Sequence, residues 1–351
     1  INEKAAKRGY EYAKENFETL GVQLKVRGDE GKLVVSGSEA CALGAVAAGM
    51  KFYAAYPMTP ASPILHYLAR IQQDADIGVI QAESEIAAIN MVIGAAYAGV
   101  RSMTGTSGGG FSLMVEALGQ AGATETPIVV VLAQRPGPST GLPTYTSQAD
   151  LLFAIHASQG EFPRIVSAPG DVEETFYLTA EAFNLAERFQ VPVILLIDKH
   201  ITESFTDVEP FDLGAVTIDR GKIIESEWRG PGEYKRYLFT EDGISPRALP
   251  GTRGAIVKQN SSEHNELGWA SEDPDNARSM QDKRLRKLIE ISEALRGKSL
   301  EVWGDPGADT VLLHWGSTRG AVYEATERLA GEGPEGRAVR VVHLWPFPSE
   351  E

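Results

Sequence analysis

The feature that most constrains this chain is an alternation of short apolar segments with longer segments of small residues between positions 33 and 200. The short segments are typical of strands and the longer ones of helices. Strands that are apolar along their whole length and alternate with helices are typical of a parallel sheet covered on both faces. The pattern therefore predicts an α/β fold with a doubly wound parallel sheet.

The predicted strands cover residues 33–35, 52–56, 77–81, 101–104, 128–132, 165–167 and 193–197. The helices between them are predicted to begin near Ser36, Pro60, Ser84, Gly110, Gln148 and Asp171. Ser36 and Glu39 have the spacing of a capping box, which marks the start of the first of these helices.

The sequence divides into four predicted parts. Residues 1–32 hold an amphipathic helix over 2–20 and a linker, and 33–200 form the main α/β domain. Residues 201–305 form a long irregular connector with a charged helix, and 306–351 hold a single β-α-β unit. Such a unit cannot bury a sheet of its own, so we expect the natural protein to continue or this part to pack against something else. The first residue, Ile1, also indicates a piece of a longer protein.

Composition excludes several classes of function. The formal charge of −15 argues against a nucleic-acid interface, which needs clustered lysine and arginine. The uncharged stretch 86–100 is too short to span a membrane and predicts a core helix. Cys41 is the one cysteine; a buried small residue is favoured over a reactive thiol, and it cannot supply the four thiolates of an iron–sulfur cluster. We expect a cytoplasmic protein with no metal site of its own.

Three loops after predicted strands carry the candidate site residues, because ligands bind at the carboxyl ends of parallel strands. Thr59 lies in a proline-rich loop, where it could also cap the next helix. Glu85 begins a helix, where a carboxylate commonly offsets the helix dipole. Arg135 follows an apolar strand and is suited to hold a carboxylate, although a surface ion pair is the alternative. A fourth loop, 106–110, is only a weak phosphate-loop signal.

Taken together, four motifs resemble the α subunit of the 2-oxoacid:ferredoxin oxidoreductases. They are Y-P-M-T-P from Tyr56, E-S-E-x-x-A from Glu83, T-S-G-G-G-F-S-L-M from Thr106, and Q-R-P-G-P-S-T-G-L-P-T from Gln134 with Gln148 and Asp150 beyond it. The resemblance is strong over 33–200 and continues through the connector into the start of a transketolase C-terminal-like domain. The helix at 2–20 looks like the exit from a fused γ domain.

The resemblance implies a pyrimidine-binding domain for thiamine diphosphate. Glu85 matches the glutamate that hydrogen-bonds N1′ of the aminopyrimidine and so activates the cofactor. Thr59 matches the hydroxyl that contacts the oxo and carboxylate end of the substrate, and Arg135 matches the arginine that binds its carboxylate. Pro57 and Met58 belong to the same cofactor-binding loop. The implied reaction is oxidative decarboxylation of a 2-oxoacid with coenzyme A, with electrons passed to ferredoxin.

The resemblance also implies a partner. The diphosphate and Mg²⁺ motif and the cluster cysteines are missing here, and in multi-subunit relatives a β subunit supplies both. We therefore expect a half-site, shared in an (αβ)₂ assembly.

Several alternatives stay open at this point. The chain could be a non-catalytic scaffold of pyrimidine-domain type, although Thr59, Glu85 and Arg135 are all present. A Rossmann-type nucleotide site is disfavoured because no glycine fingerprint follows the first strand. Other thiamine enzymes share the fold but lack the 134–144 motif. Among substrates 2-oxoglutarate is favoured over pyruvate and branched 2-oxoacids, because γ–α fusion is frequent there.

Overall fold

The computed structural model of the protein describes residues 2–22, 31–332 and 336–350. Its helices are α1 (Asn2–Asn16), α2 (Gly37–Ala47), α3 (Ser62–Ile71), α4 (Glu85–Tyr97), α5 (Gly108–Ala123), α6 (Leu151–His156), α7 (Val172–Phe189), α8 (Lys199–Glu203), α9 (Pro274–Leu295) and α10 (Arg319–Glu332). Its strands are β1 (Leu33–Ser36), β2 (Phe52–Ala55), β3 (Gly78–Gln81), β4 (Ser102–Thr106), β5 (Ile128–Gln134), β6 (Ile165–Ser167), β7 (Pro192–Asp198), β8 (Phe205–Val208), β9 (Ile223–Ile224), β10 (Arg247–Ala248), β11 (Leu300–Gly304), β12 (Thr310–His314), β13 (Gly336–Val341) and β14 (His343–Trp345).

The centre of the protein is a seven-stranded sheet in the order β14-β6-β7-β5-β4-β2-β3. All neighbouring strands run parallel except β14, which pairs antiparallel with β6. The predicted doubly wound parallel sheet is therefore confirmed. The predicted capping box also forms, since the Ser36 hydroxyl accepts from the backbone of Glu39 and the Glu39 carboxylate accepts from the backbone of Ser36.

Both faces of the sheet are buried, as the strand composition requires. In β5, Val129 and Val131 pack into a core with α2, α3, α7 and α9. The alternate residues Val130 and Leu132 pack into a second core with α4, α5 and α6. Cys41 lies in the first core, where burial raises the pKa of its thiol to about 11. This agrees with the prediction of a buried small residue, because an inert thiol has a high pKa.

Two predictions at the start of the chain need correction. The strand β1 lies outside the parallel sheet and pairs antiparallel with β8, a strand that was not predicted. A short apolar run does not reveal which sheet it joins. The side chains of Leu33 and Val34 are exposed, as expected for a strand outside the central sheet. The helix predicted over 2–20 ends at Asn16, and all of its residues are exposed.

The C-terminal part is larger than the predicted β-α-β unit. The strand β11 lies within the predicted connector and joins β12 and β13 in a three-stranded sheet. The strand β14 then leaves this sheet to extend the central one at β6. A small sheet is not stable alone, and the pairing of β14 with the central sheet gives this part of the chain additional strand contacts. The four-part division of the chain stays a prediction.

A buried ion cluster holds the connector helix α9 against the central domain. The ammonium groups of Lys283 and Lys287 lie 2.6 and 2.5 Å from the carboxylate of Glu125, and all three side chains are almost fully buried. Burial alone would raise the pKa of Glu125, but the two ammonium groups outweigh it and hold that pKa far below its usual range. Burial lowers the pKa of Lys287 to about 7.

No helix in the described ranges is long and apolar enough to cross a membrane. Those same ranges hold no group of three histidine, cysteine, aspartate or glutamate side chains that could bind a metal ion.

We predict that Glu125→Gln lowers the free energy of unfolding by about 3–5 kcal/mol, because it leaves two buried ammonium groups without a counter-charge. Denaturant unfolding measures this change. Asp76→Asn serves as control, since its ion pair with Lys51 is exposed and should contribute less than about 1 kcal/mol. Equal effects of the two substitutions would contradict the role of the cluster.

Candidate active site

The candidate site lies at the carboxyl ends of β2, β3, β4 and β5. From β2 the chain crosses to β3 on one side of it and then to β4 on the other, so the strand order reverses around β2. In parallel sheets this reversal opens a crevice for ligands. The three predicted site residues follow β2, β3 and β5, so topology alone brings them to one edge.

Glu85 is the first residue of α4, and Ser84 caps the helix by accepting a hydrogen bond from the backbone of Ala87 at 3.2 Å. The Glu85 side chain is only 3% exposed. Its Oε1 atom is buried and accepts no hydrogen bond from any residue that the structure describes. A carboxylate that serves only the helix dipole does not need burial, whereas a buried oxygen without a partner is costly. The capping role alone therefore does not account for the burial of Glu85.

Gly110 forms the floor beneath this carboxylate. A Cβ atom at position 110 would lie 2.1 Å from Thr106 Oγ1 and 2.5 Å from Glu85 Oε1. The Thr106 hydroxyl in turn donates to the sulfur of Met58 at 3.9 Å. The glycine-rich segment 106–110, which gave the weak phosphate-loop signal, therefore allows α5 to pack closely against Glu85. Sequence reasoning missed the contact of Thr106, although its place directly before the glycines was a signal.

Thr59 and Arg135 meet across the crevice. The guanidinium Nη1 of Arg135 donates to the backbone oxygen of Thr59 at 2.6 Å. The capping alternative for Thr59 is wrong, because α3 begins at Ser62 after Ala61 and has no side-chain cap. The surface alternative for Arg135 is also wrong: the residue is 8% exposed and has no ion pair within the described residues. Burial lowers the pKa of Arg135.

An open cavity of about 430 Å³ lies beside Arg135. Its walls are the first turn of α5, the loop that starts at Arg135, and Asp150. The backbone of Asp150 donates to the side chain of Gln134 at 3.1 Å, which closes the loop on itself. Asp150 Oδ2 is buried with no hydrogen bond to the described part of the chain, and burial raises the pKa of this carboxyl. Sequence reasoning noted Asp150 in the motif but gave it no role.

Pro57 and Met58 are half-buried in the loop after β2. The backbone oxygen of Met58 accepts from Ala61 at 2.8 Å and from Ser62 at 3.2 Å, which fixes the loop at the start of α3. The structure thus brings Met58, Thr59, Glu85 and Arg135 to one edge. Among the described residues that line the 430 Å³ cavity, Arg135 is the one predicted site residue.

The fold and this crevice define a ligand-binding α/β domain. A family model described as "Pyruvate flavodoxin/ferredoxin oxidoreductase, thiamine diP-bdg" matches residues 43–283. That range includes most of the chain. The protein therefore belongs to this oxidoreductase family.

Relatives agree with the assignment. The 2-oxoacid:ferredoxin oxidoreductase subunit alpha of Saccharolobus solfataricus is 41% identical over 91% of this chain and 52% of its own length. The 2-oxoglutarate synthase subunit KorA of Methanothermobacter marburgensis is 35% identical over 90% of this chain and 83% of its own. The chain spans about half the length of the alpha subunits it matches.

A solved structure is also similar. The 2-oxoglutarate:ferredoxin oxidoreductase from Magnetococcus marinus, with 2-oxoglutarate, coenzyme A and succinyl-CoA bound, has a TM-score of 0.88 and 40% identity. The match covers 99% of this chain and 60% of that one.

We predict that Gly110→Ala lowers the free energy of unfolding by about 1–3 kcal/mol, because the new methyl group overpacks the floor beneath Glu85. Gly94→Ala is the control: it lies in α4 with no atom within 4 Å of its Cβ position, and should raise stability by about 0.5–1 kcal/mol. Chemical denaturation distinguishes the two signs. A Gly110→Ala protein as stable as the wild type would show that Thr106 and Glu85 can move to accept the methyl group without loss of stability.

Proposed function

We propose that this chain forms the pyrimidine-binding half of an enzyme that oxidatively decarboxylates a 2-oxoacid with coenzyme A and passes the electrons to ferredoxin. The observation that carries the proposal is the buried Oε1 of Glu85, which accepts no hydrogen bond from the described residues, at the crevice that Thr59 and Arg135 border. Family membership supports it. A scaffold without catalysis gives no reason to keep such an unsatisfied carboxylate.

The residues present fit thiamine diphosphate. Glu85 would hold the aminopyrimidine through a proton shared between Oε1 and N1′, and a side chain at Gly110 would displace that oxygen. Pro57, Met58 and Thr59 would form the wall beside it. When bound, the cofactor supplies a nucleophilic carbon that reacts with the oxo carbon of the substrate. Because Glu85 is buried, water is excluded from the oxygen that would share the proton with N1′.

Arg135 would bind the 1-carboxylate of the substrate. Its Nη1 is held by the Thr59 carbonyl, which orients the guanidinium and leaves its other nitrogens for a ligand. Because the side chain is largely buried, a charged hydrogen bond made there is stronger than one in water. The Thr59 hydroxyl would donate to the oxo or carboxylate oxygen beside it.

The second half of the site would come from a β subunit that carries Mg²⁺, the diphosphate motif and the iron–sulfur cysteines. The sequence contains a single cysteine, and Cys41 is buried in the core. Exposed apolar side chains surround the crevice, which suits a docked protein surface; they are Tyr56, Ile86, Leu113, Leu142 and Tyr145. We further propose an (αβ)₂ assembly in the cytoplasm.

The favoured substrate is 2-oxoglutarate. Two of the relatives support this choice, since the Methanothermobacter protein is named as a 2-oxoglutarate synthase subunit and the Magnetococcus enzyme was solved with 2-oxoglutarate bound. Pyruvate and branched 2-oxoacids are the alternatives. Coenzyme A-dependent reduction of a viologen dye by the purified native complex, assayed with each acid in turn, tests both the reaction and the preference.

We predict that Glu85→Gln keeps the complex assembled but removes most of its decarboxylation, because an amide cannot share a proton with N1′ as a carboxyl does. The dye assay measures turnover and gel filtration checks assembly. Glu83→Gln is the control, since Glu83 lies two residues earlier and is exposed; it should retain wild-type activity. Normal turnover by Glu85→Gln would refute the assignment of the site.

We predict that Arg135→Ala lowers kcat/KM about 100-fold or more, because loss of a charged, two-pronged contact costs on the order of 1.5–3 kcal/mol per bond. Arg135→Lys should recover only part of this loss, because lysine lacks the two-pronged group. The loss should be similar for every 2-oxoacid that the enzyme accepts, since all share the 1-carboxylate. A loss confined to 2-oxoglutarate would instead place Arg135 at the distal carboxylate of that acid. Steady-state kinetics with at least two acids separates the outcomes.

A further inference from the structure

The buried ion cluster between the connector and the central domain contains more basic groups than acidic ones. Glu125 lies in the turn between α5 and β5 and is fully buried. Lys283 and Lys287, one turn apart on α9, both pair with it, and Arg236 of the connector lies beside it. These basic side chains are at most 5% exposed. Among the described residues, three basic groups therefore share one carboxylate in a buried space.

Such a cluster is expected to release a proton. Arg236 donates to the side chain of Gln190 at 2.8 Å and to the backbone oxygen of Glu125 at 2.7 Å, so its own charge faces neutral acceptors. Burial and neighbouring like charges both disfavour the charged form of a basic group. Arginine does not lose its proton in proteins, whereas lysine does so readily when it is buried. The proton is therefore released by one of the two lysines.

The contacts identify Lys287 as that residue. Lys283 Nζ donates to both oxygens of Glu125, at 2.6 and 2.9 Å. Lys287 Nζ instead lies 2.5 Å from one of these oxygens and donates to the neutral backbone oxygen of Gln190 at 3.2 Å. A neutral amine has two hydrogens for these two acceptors, whereas the charged group carries a third. Lys287 can thus lose its proton and keep both contacts.

The other titratable groups near the cluster keep a fixed charge around neutral pH. Burial alone would raise the pKa of Glu125, but the surrounding cations hold that pKa far below its usual range. Burial raises the pKa of the Tyr234 and Tyr237 hydroxyls of the connector, so both stay neutral. Arg284, beside Lys283 on α9, pairs with Glu263.

We propose that Lys287 is a pH-sensitive switch between the connector and the central domain, an uncharged amine above neutral pH that takes up a proton below it. Proton uptake adds a charge to a buried space that already holds Lys283 and Arg236. Because a further buried charge without its own partner is costly, α9 should dock more weakly in its presence. The proposal does not depend on the function proposed for the crevice.

The direction of the effect follows from the proton affinities of the docked and the opened helix. Burial lowers the pKa of Lys287 to about 7, although the carboxylate of Glu125 acts in the opposite direction. When α9 leaves the domain, this lysine regains the ordinary pKa of about 10.4. Between these two values the opened state binds more protons, so the stability of the docked helix rises with pH. Below pH 7 both states hold the proton and this contribution is absent.

Amide hydrogen exchange of α9, followed by mass spectrometry in the natural full-length protein, measures the docking. Intrinsic exchange rates are corrected for pH, so that the protection factor reports the opening of the helix. We expect this protection factor to rise about 10-fold or more between pH 7 and pH 8.5. A protection factor that stays constant over this range overturns the proposal.

Lys287→Met removes the titrating group and keeps a side chain of similar length. The protection factor of α9 should then be nearly constant from pH 7 to pH 8.5. Lys51→Met is the matched control, because Lys51 pairs with Asp76 at the surface, and it should retain the wild-type rise. A rise that persists in Lys287→Met would show that another group titrates and would refute the assignment.

Lys283→Met gives a second test that does not require the first variant to fold. It leaves the carboxylate of Glu125 to Lys287 alone, so Lys287 should hold its proton more firmly. The rise in the protection factor between pH 7 and pH 8.5 should then shrink by half or more. An unchanged rise would contradict the sharing of one carboxylate by two lysines.

Discussion

The pairing of β5 with β7 is the constraint on which the rest of the structure depends. The two strands pair in parallel over seven residues, from Ile128 opposite Pro192 to Gln134 opposite Asp198, and every residue in both is buried. Parallel strands need long crossovers that return each strand to the same starting edge. All the loops that follow the strands are thereby gathered at the other edge. The first polar side chains, Gln134 and Asp198, appear only at that edge, where the first fixes Asp150 and the second caps α8.

Buried charge, in addition to apolar burial, specifies where the connector lies. Its helix α9 presents Lys283 and Lys287 to Glu125, and its irregular part brings Arg247 to Glu187. Removing charged groups from water is costly, so an alternative placement of the connector would leave several buried ions without partners. The connector thus joins the far ends of the helices whose first turns form the crevice.

The sequence predicted the central sheet because its strands are apolar on both faces and its helices have clear starts, such as the capping box at Ser36. It did not predict β8 or β11, since these are short strands whose partners are distant in the chain. It also did not separate β14 from the second strand of the predicted β-α-β unit. The crevice was predictable from strand ends and motif spacing. The hydrogen bond from Arg135 to the Thr59 carbonyl and the contact of Gly110 with Glu85 were not, because they depend on how separate loops pack.

The crevice contains buried polar groups that lower the stability of the fold. Glu85 and Asp150 each keep a buried oxygen that accepts no hydrogen bond from the described residues, and Arg135 rests on a backbone carbonyl without a counter-charge. Each such group destabilises the folded chain by about 1–3 kcal/mol. All three groups lie at the carboxyl ends of the parallel strands, where a bound ligand would reach them. A donor to Glu85 and an anion at Arg135 would satisfy two of the groups at once, which is the complement that a proton-sharing cofactor and an anionic substrate present together.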